Sequence, residues 1–177
     1  MRNILVTDRL YLRELTTSDY TDLCEIFQDK ETMYTYEHAF SDNEATEWLN
    51  KQFWRYKNEG HGLWAVLLKE NNEFLGVCGI TIQNINDREY LEIGYMFKRK
   101  HWQNGYATEA ATGCKYYAFD ILKSKCVYSI MRDNNIPSQN VAKRLGMCKI
   151  DEVVKHYYGI DMVHFVFMVN QSEFINN

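Results

Sequence analysis

Proline is almost missing from this chain of 177 residues; Pro137 is the only one. Linkers are missing too. Nothing rich in proline, glycine or serine divides the sequence, there are no repeats, and residues 1–177 read as a single domain. Cysteine is sparse and unpatterned: the five, at 24, 78, 114, 126 and 148, are odd in number and never spaced C-x-x-C. That speaks against a disulfide framework and against zinc; reduced thiols buried as small hydrophobes suit a cytoplasmic protein. No apolar run approaches the roughly 18 residues of a membrane span, and Met1-Arg2-Asn3 leads straight into a strand-like segment without the form of a signal peptide. No membrane partner is expected. Positive charge is short as well: 20 Lys and Arg against 24 Asp and Glu leave a net −4, which argues against nucleic acid as a partner. Two phosphate-binding motifs are absent. There is no G-x-x-x-x-G-K-[ST], and no G-x-G-x-x-G follows a strand.

What is present is apolar and aromatic. At 46% hydrophobic and 15% aromatic, the chain can build a proper core without metal or disulfide support. Its chemistry gathers in Tyr90–Leu122, which reads as an apolar strand, a turn bearing Gly105, and an amphipathic helix. Where a helix begins directly after a strand, its first N–H groups lack intrahelical acceptors and point outward with the positive end of the dipole. A phosphate is the natural guest there. Gly105 permits close backbone approach, and Lys98, Arg99 and Lys100 form a basic run just upstream.

The remaining elements fall in order. Ile4–Glu14 alternates as a half-buried strand, and Thr17-Ser18-Asp19 starts a helix whose apolar face is Tyr20, Leu23, Ile26 and Phe27. Ser41-Asp42-Asn43-Glu44 is a capping box for a helix that ends at Gly60 and buries Ala45, Trp48, Leu49, Phe53 and Tyr56. A hairpin follows around Glu70-Asn71-Asn72-Glu73, and a loop at Asn86-Asp87-Arg88 leads into a central strand, Glu89–Phe97. Lys125–Met131 is a further strand, implying a parallel pair across the helix. Asn134-Asn135 caps a helix with Pro137 in its first turn and Gly146 at its end. Lys149–His156 and Met162–Asn170 close the chain as a hairpin around Tyr158-Gly159-Ile160-Asp161. Seven strands result.

The segment W-Q-N-G-Y-A-T-E-A, at 102–110, resembles the coenzyme A loop of the GNAT N-acetyltransferases, written Q/R-x-x-G-x-G/A. Gly105 and Ala107 fill its last two fixed positions, and Trp102 stands where Gln or Arg is usual. Trp is common there in the branch acting on ribosomal-protein N-termini, Y-W-G-x-G-Y-A-T-E-A, although Gln103 replaces that pattern's first glycine. A left-handed Gln103 would cost on the order of 1 kcal/mol or more. T-D-R-L-Y-L-R at 7–13, L-E-I-G-Y at 91–95 and N-I-P-S-Q-N-V-A-K-R-L-G-M at 135–147 resemble other motifs of the same branch, so the likeness spans nearly the whole chain. It implies an α/β GNAT fold. In that fold a mostly antiparallel seven-stranded sheet has one parallel pair splayed around the cofactor, and helices cover both faces.

The resemblance further implies acetyl-CoA as co-substrate, an amine acceptor that is a small molecule or a peptide, and no metal; it leaves a homodimer open. Backbone N–H groups from Gln103 through Asn104, Gly105, Tyr106, Ala107 and Thr108 would hold the pyrophosphate. Tyr95, Met96 and Phe97 would pair with the pantetheine arm, and Asn135 and Ser138 would lie along the thiol end. Glu92 is the candidate base, being the one carboxylate inside an apolar strand beside the site, where desolvation raises a pKa. The competing view is an outward or salt-bridged glutamate. Glu89, earlier on the strand and read on the same face, is its reserve.

Many GNATs place an acid tyrosine where Ala142 stands, so the resemblance passes that role to Ser138, against its simpler reading as a first-turn cap. Tyr128 and Tyr95 are reserves. Tyr34, Tyr36, His38, Trp48 and Trp54 line an acceptor pocket or else belong to the core. His61, His101, His156 and His164 share no metal-ligand spacing, and the run Lys98–Lys100 either reaches the phosphates or is a solvated turn. The alternative to an N-acetyltransferase is a degenerate GNAT that binds CoA as a sensor. A nucleotide-binding protein is a third reading, weakened because no metal-binding Ser or Thr follows a loop lysine.

Overall fold

The computed structural model describes residues 3–157 and 159–172. Among these, eight strands form one sheet in the order β1-β2-β3-β4-β5-β6-β8-β7, numbered along the chain. They are β1 (Leu5–Val6), β2 (Leu10–Arg13), β3 (Leu63–Leu68), β4 (Phe74–Ile85), β5 (Arg88–Phe97), β6 (Cys126–Arg132), β7 (Cys148–Tyr157) and β8 (Ile160–Asn170). The α-helices are α1 (Tyr20–Phe27), α2 (Asp42–Asn58), α3 (Tyr106–Asp120) and α4 (Ile136–Arg144). The α/β architecture follows expectation, with one strand more than the seven foreseen. Ile4–Glu14 is two strands because it folds back at Thr7-Asp8-Arg9. There the Thr7 hydroxyl oxygen accepts the Leu10 N–H at 3.2 Å, a turn that alternation cannot reveal.

Other boundaries moved by one or two residues. The Asn86-Asp87 turn holds φ of +50° and +60°, a tight hairpin geometry, so Arg88 joins β5 instead of the loop. In the closing hairpin the pairing runs out to Tyr157 and Ile160, which places Ile160 and Asp161 in β8; Tyr158 lies outside the described residues.

β3 reads LWAVLL without alternation because both its faces are covered. Trp64 and Val66 pack with Ala110, Ala111, Cys114 and Phe119 of α3. Leu63, Ala65 and Leu67 pack on the other face with Leu23 and Phe27 of α1 and Leu49 of α2. Each buried Leu, Val or Phe among these contributes about 1.5–3 kcal/mol by leaving water. The small residues of α3 bring it close to the sheet edge. A Cβ on Gly113 would fall 2.7 Å from Leu5 Cδ2, so the β1–β2 hairpin packs close against this helix and a larger residue at 113 would have to push the Leu5 side chain aside.

Every strand pair is antiparallel except β5 with β6, and that pair meets at a single position, Glu92 opposite Tyr128. β5 itself stays in continuous register with β4 from Arg88 to Phe97, so it is β6 that departs. The result is a fork in the sheet. Two side chains bridge its crotch: the Glu92 carboxylate accepts the Ile130 N–H at 3.2 Å, and the Ser129 hydroxyl donates to the Ile93 carbonyl at 3.2 Å. Both satisfy backbone groups that the lost ladder would leave bare.

Candidate active site

The fork opens into a groove of ≈ 1270 Å³. Glu92 stands at its floor with Tyr95, Met96 and Phe97 along β5. Gln103, Gly105, Tyr106, Ala107 and Thr108 line one end, and Asn135 and Ser138 enter from the start of α4. Asn104 is not part of the lining; its side-chain amide braces the loop by donating to the His101 and Trp102 carbonyls at 3.3 and 3.1 Å. The Ile93 carbonyl faces β6, because it accepts the Ser129 hydroxyl. Alternation then turns the N–H and C=O of Tyr95 the same way, into the groove, and those of Met96 toward β4.

The loop end has the chemistry of an anion site. Gly105 caps α3 with φ +80°, and Gln103 sits at φ +63°, a left-handed conformation that a glycine would hold without cost. The first bond inside α3 runs from the Glu109 N–H to the Gly105 carbonyl at 3.0 Å, so the preceding N–H groups have no intrahelical acceptor. Two residues that sequence reasoning passed over hold this loop. Arg9 reaches it from the β1–β2 turn, donating from Nε to Glu109 at 2.7 Å and from Nη1 to the Asn104 carbonyl at 3.1 Å, with its guanidinium 4.6 Å from the centre of the Tyr106 ring. Glu109 also accepts the Thr7 hydroxyl at 2.6 Å and the Arg9 N–H at 2.8 Å. Burial opposes its ionisation, but these donors outweigh it and hold the carboxyl below the ordinary carboxylate range. The letters of the pair stood in T-D-R-L and A-T-E-A; their meeting across 100 residues did not.

Glu92 accepts Ile130 N–H and, more loosely, the Thr81 hydroxyl at 3.4 Å. Burial pushes its pKa up, while the ammonium of Lys155 and those two donors pull it partly back. Lys155, on β7, lines the same groove and was also missed. Glu89 is exposed and outside the groove: it lies an odd number of residues from Glu92, and alternation puts it on the opposite face. Tyr128 also lies outside the lining, packed edge-on against Tyr90 at 5.0 Å.

At α4, the capping role belongs to Asn135, whose side-chain oxygen accepts the Ser138 N–H at 3.2 Å. The Ser138 hydroxyl lines the groove, within reach of the Tyr95 hydroxyl. The Tyr95 hydroxyl donates to the Ser138 carbonyl at 3.1 Å, tying β5 to α4, and burial raises its pKa. Ala142 is buried in the α3-side core.

The basic run takes neither of its expected roles as a whole. Lys98 is buried and pairs with Asp22 at 2.6 Å and Glu25 at 2.9 Å; Arg99 pairs with Asp29 and Lys100 with Glu73. Of the aromatics, Tyr34, Tyr36 and Trp48 line the groove, whereas His38 pairs with Glu44 and Trp54 is exposed elsewhere. Residues 34–37 strap the groove's other end, with the Tyr34 hydroxyl donating to Asn135 Oδ1 at 3.1 Å and Glu37 paired with Arg132. Among the described residues no cluster of His, Cys, Asp or Glu could hold a metal ion, and no helix is long and apolar enough to cross a membrane.

A family model described as an acetyltransferase (GNAT) domain matches residues 9–148. An uncharacterised protein of Bacillus subtilis, YkkB, is 40% identical over 81% of this chain and 84% of its own length. An uncharacterised N-acetyltransferase of Bacillus licheniformis, p20, is 30% identical over 82% of each chain. Among solved structures, a GNAT-family acetyltransferase from Bacillus anthracis superposes with a TM-score of 0.79 at 23% identity, covering 95% of this chain and 98% of that one. A ribosomal L7/L12 α-N-protein acetyltransferase in complex with coenzyme A superposes at 0.78, with 16% identity over 96% and 98%. A chimera of a Vibrio cholerae spermidine N-acetyltransferase superposes at 0.75, with 18% identity over 96% and 100%.

Proposed function

The chain belongs to the GNAT acetyltransferases, enzymes that draw their acetyl group from acetyl-CoA, and on that premise we propose that it acetylates a primary amine by direct attack in a ternary complex. One arrangement carries the proposal. An anion-binding helix terminus and a desolvated carboxylate, Glu92, occupy separate stretches of one groove along the exposed edge of β5. From Phe97 back to Glu92 is about 16 Å of strand, enough to separate a phosphate from a reacting acyl group.

The loop from Gln103 to Thr108 offers its free N–H groups to the pyrophosphate, and the N–H and C=O of Tyr95 offer strand-like pairing to the pantetheine arm. An acceptor entering near the strap meets Glu92. The Glu92 carboxylate takes the amine's proton, directly or through one water. The amine nitrogen then bonds to the acetyl carbon as the bond to sulfur breaks, and the proton that the nitrogen sheds on becoming an amide replaces the one that the Ser138 hydroxyl passes to the departing thiolate. Motif likeness and the ribosomal-protein neighbour support the N-terminal-acetylating branch. The sensor alternative keeps two supports, Ala142 in the place of the acid tyrosine and the strained Gln103.

Thiol release separates the two readings. Acetyl-CoA with a panel of amines is expected to yield free thiol, and its absence with every acceptor would favour the sensor. Acetyl-CoA at 100 times its Kd is expected to stabilise the protein by about 2.7 kcal/mol. ATP or NAD at equal concentration should do far less, and equal stabilisation by ATP would refute the loop assignment. Ser138→Ala is expected to slow thiol release by roughly 10- to 1000-fold. Because Asn135 caps α4, the helix should persist in this variant, and an unchanged kcat would return Ser138 to a bystander's place.

A further inference from the structure

Positive charge exceeds negative at the acceptor end of the groove. Lys51, Arg55, Arg132 and Lys155 line it. Arg55 is matched by Glu59 at 3.8 Å, and Arg132 by Glu37, both partners lying outside the lining. Lys51 is exposed at the mouth. Lys155 is only partly exposed, and among the described residues its ammonium has no hydrogen-bond or ion-pair partner. Against these stand two lining carboxylates among the described residues, Glu92 and Glu109, and Glu109 is already committed to Arg9 and Thr7 at the other end. That leaves Glu92 alone to answer a cation.

One carboxylate can serve one reacting nitrogen. A polyamine would bring a second ammonium into a space where Lys155 repels it and no free carboxylate receives it. An amine without an anion would leave the partly desolvated Lys155 ammonium with the Glu92 carboxylate as its one nearby counter-charge among the described residues, shared with the reacting nitrogen, which is itself unfavourable. We propose that the acceptor is an amine whose own skeleton carries a carboxylate or phosphate, with Lys155 receiving that anion while Glu92 faces the nitrogen. The assignment rests on the acetyl-transfer reading above and narrows its substrate class. Glu92 and Lys155 lie near enough for each charge to influence the other's proton, so one short molecule can touch both.

The same chemistry comes from a free amino acid or from a peptide with an acidic residue near its N-terminus, and paired acceptors tell them apart. The pairs are tryptophan with tryptamine, arginine with agmatine, and an amidated tripeptide carrying aspartate at its second position with its asparagine version. Binding is measured by calorimetry on the protein saturated with CoA, and turnover by thiol release from acetyl-CoA. In at least one pair the anionic member is expected to bind at least tenfold more tightly and to show a kcat/KM at least tenfold higher. Which pair responds identifies the source of the anion.

Lys155→Met, and independently Lys155→Gln, should bring that ratio to within about threefold. Comparing two acceptors within one variant cancels any change in Glu92 itself. Neutral or polycationic amines, spermidine included, preferred over every anionic partner would overturn the proposal, as would a ratio that survives both substitutions. Anion-dependent binding with no thiol release from any acceptor would uphold Lys155's role and defeat the acetyl-transfer reading instead.

Discussion

Glu92→Gln is expected to lower kcat/KM for acetyl transfer by roughly 10²- to 10⁴-fold, and to leave stabilisation by acetyl-CoA nearly intact. Glutamine fits the site that glutamate occupies: its carbonyl can still accept the Ile130 N–H, and its amide can face the Thr81 hydroxyl. The fork therefore keeps its shape while the base is lost. Burial holds the Glu92 pKa above the ordinary 4.5, with Lys155 the chief opposing influence. A base works when deprotonated, so wild-type kcat/KM should rise with pH through that raised value, and the glutamine variant should lose this limb and follow the free amine instead.

Stability carries the opposite sign. A raised acid pKa favours folding below the unfolded pKa, and that contribution fades as pH rises through the folded one. Relative to wild type, the glutamine variant should therefore gain stability toward alkaline pH. Glu92→Ala makes a useful contrast, since it strands the Ile130 N–H at a cost of about 1–3 kcal/mol. A glutamine variant with wild-type rate and pH profile would sink the assignment, and one that no longer responds to acetyl-CoA would make Glu92 a strut of the fork.

Gly105→Val is expected to erase the acetyl-CoA-induced rise in Tm. Space is not the obstacle, for a Cβ there would meet just Arg9 Nη2 at 3.5 Å, an ordinary contact. The obstacle is φ +80°, which a β-branched residue resists by at least about 1–2 kcal/mol. The valine must either strain or unwind the first turn of α3, and in both cases the N–H groups turn from the groove. The loop carries none of the buried core, so the urea midpoint should drop modestly while the far-UV spectrum holds. Gly105→Ala, without branching, should weaken binding and not abolish it. A valine variant that responds to acetyl-CoA as wild type does would place the phosphates elsewhere.

Much of this molecule was readable from local pattern. The capping box at Ser41, the Gly105 turn, the Pro137-bearing α4 and the lone carboxylate in an apolar strand each announce themselves within a few residues, and the structure places each where its neighbours require. What escaped is non-local. Arg9 and Glu109 meet through the docking of a hairpin on α3, and that hairpin depends on one threonine turn inside an alternating run. Lys155 looks like any polar residue of an exposed hairpin until the curl of β7 and β8 brings it over β5. Glu89 misled because charge was counted without parity. Lys98 misled for a related reason: a basic letter beside a phosphate loop says nothing of the acidic face of α1, where it ends.

The parting of β5 and β6 also gives the sheet an edge in its middle. Edges invite foreign strands, and proteins ordinarily blunt them with charge, bulges or short length. Here β5 keeps an unbulged register for its whole length, so the guard has to come from its surroundings. Glu92 sets a charge at the closed end, the Arg9-braced loop walls the open one, and the 34–37 strap narrows the acceptor's entry. An incoming chain can reach those bare amides only lengthwise, as a thin extended molecule would. Ligand selection and resistance to aggregation thus fall to the same few side chains, and a substitution that widens the way in for a bulkier guest also unshields a template for self-association.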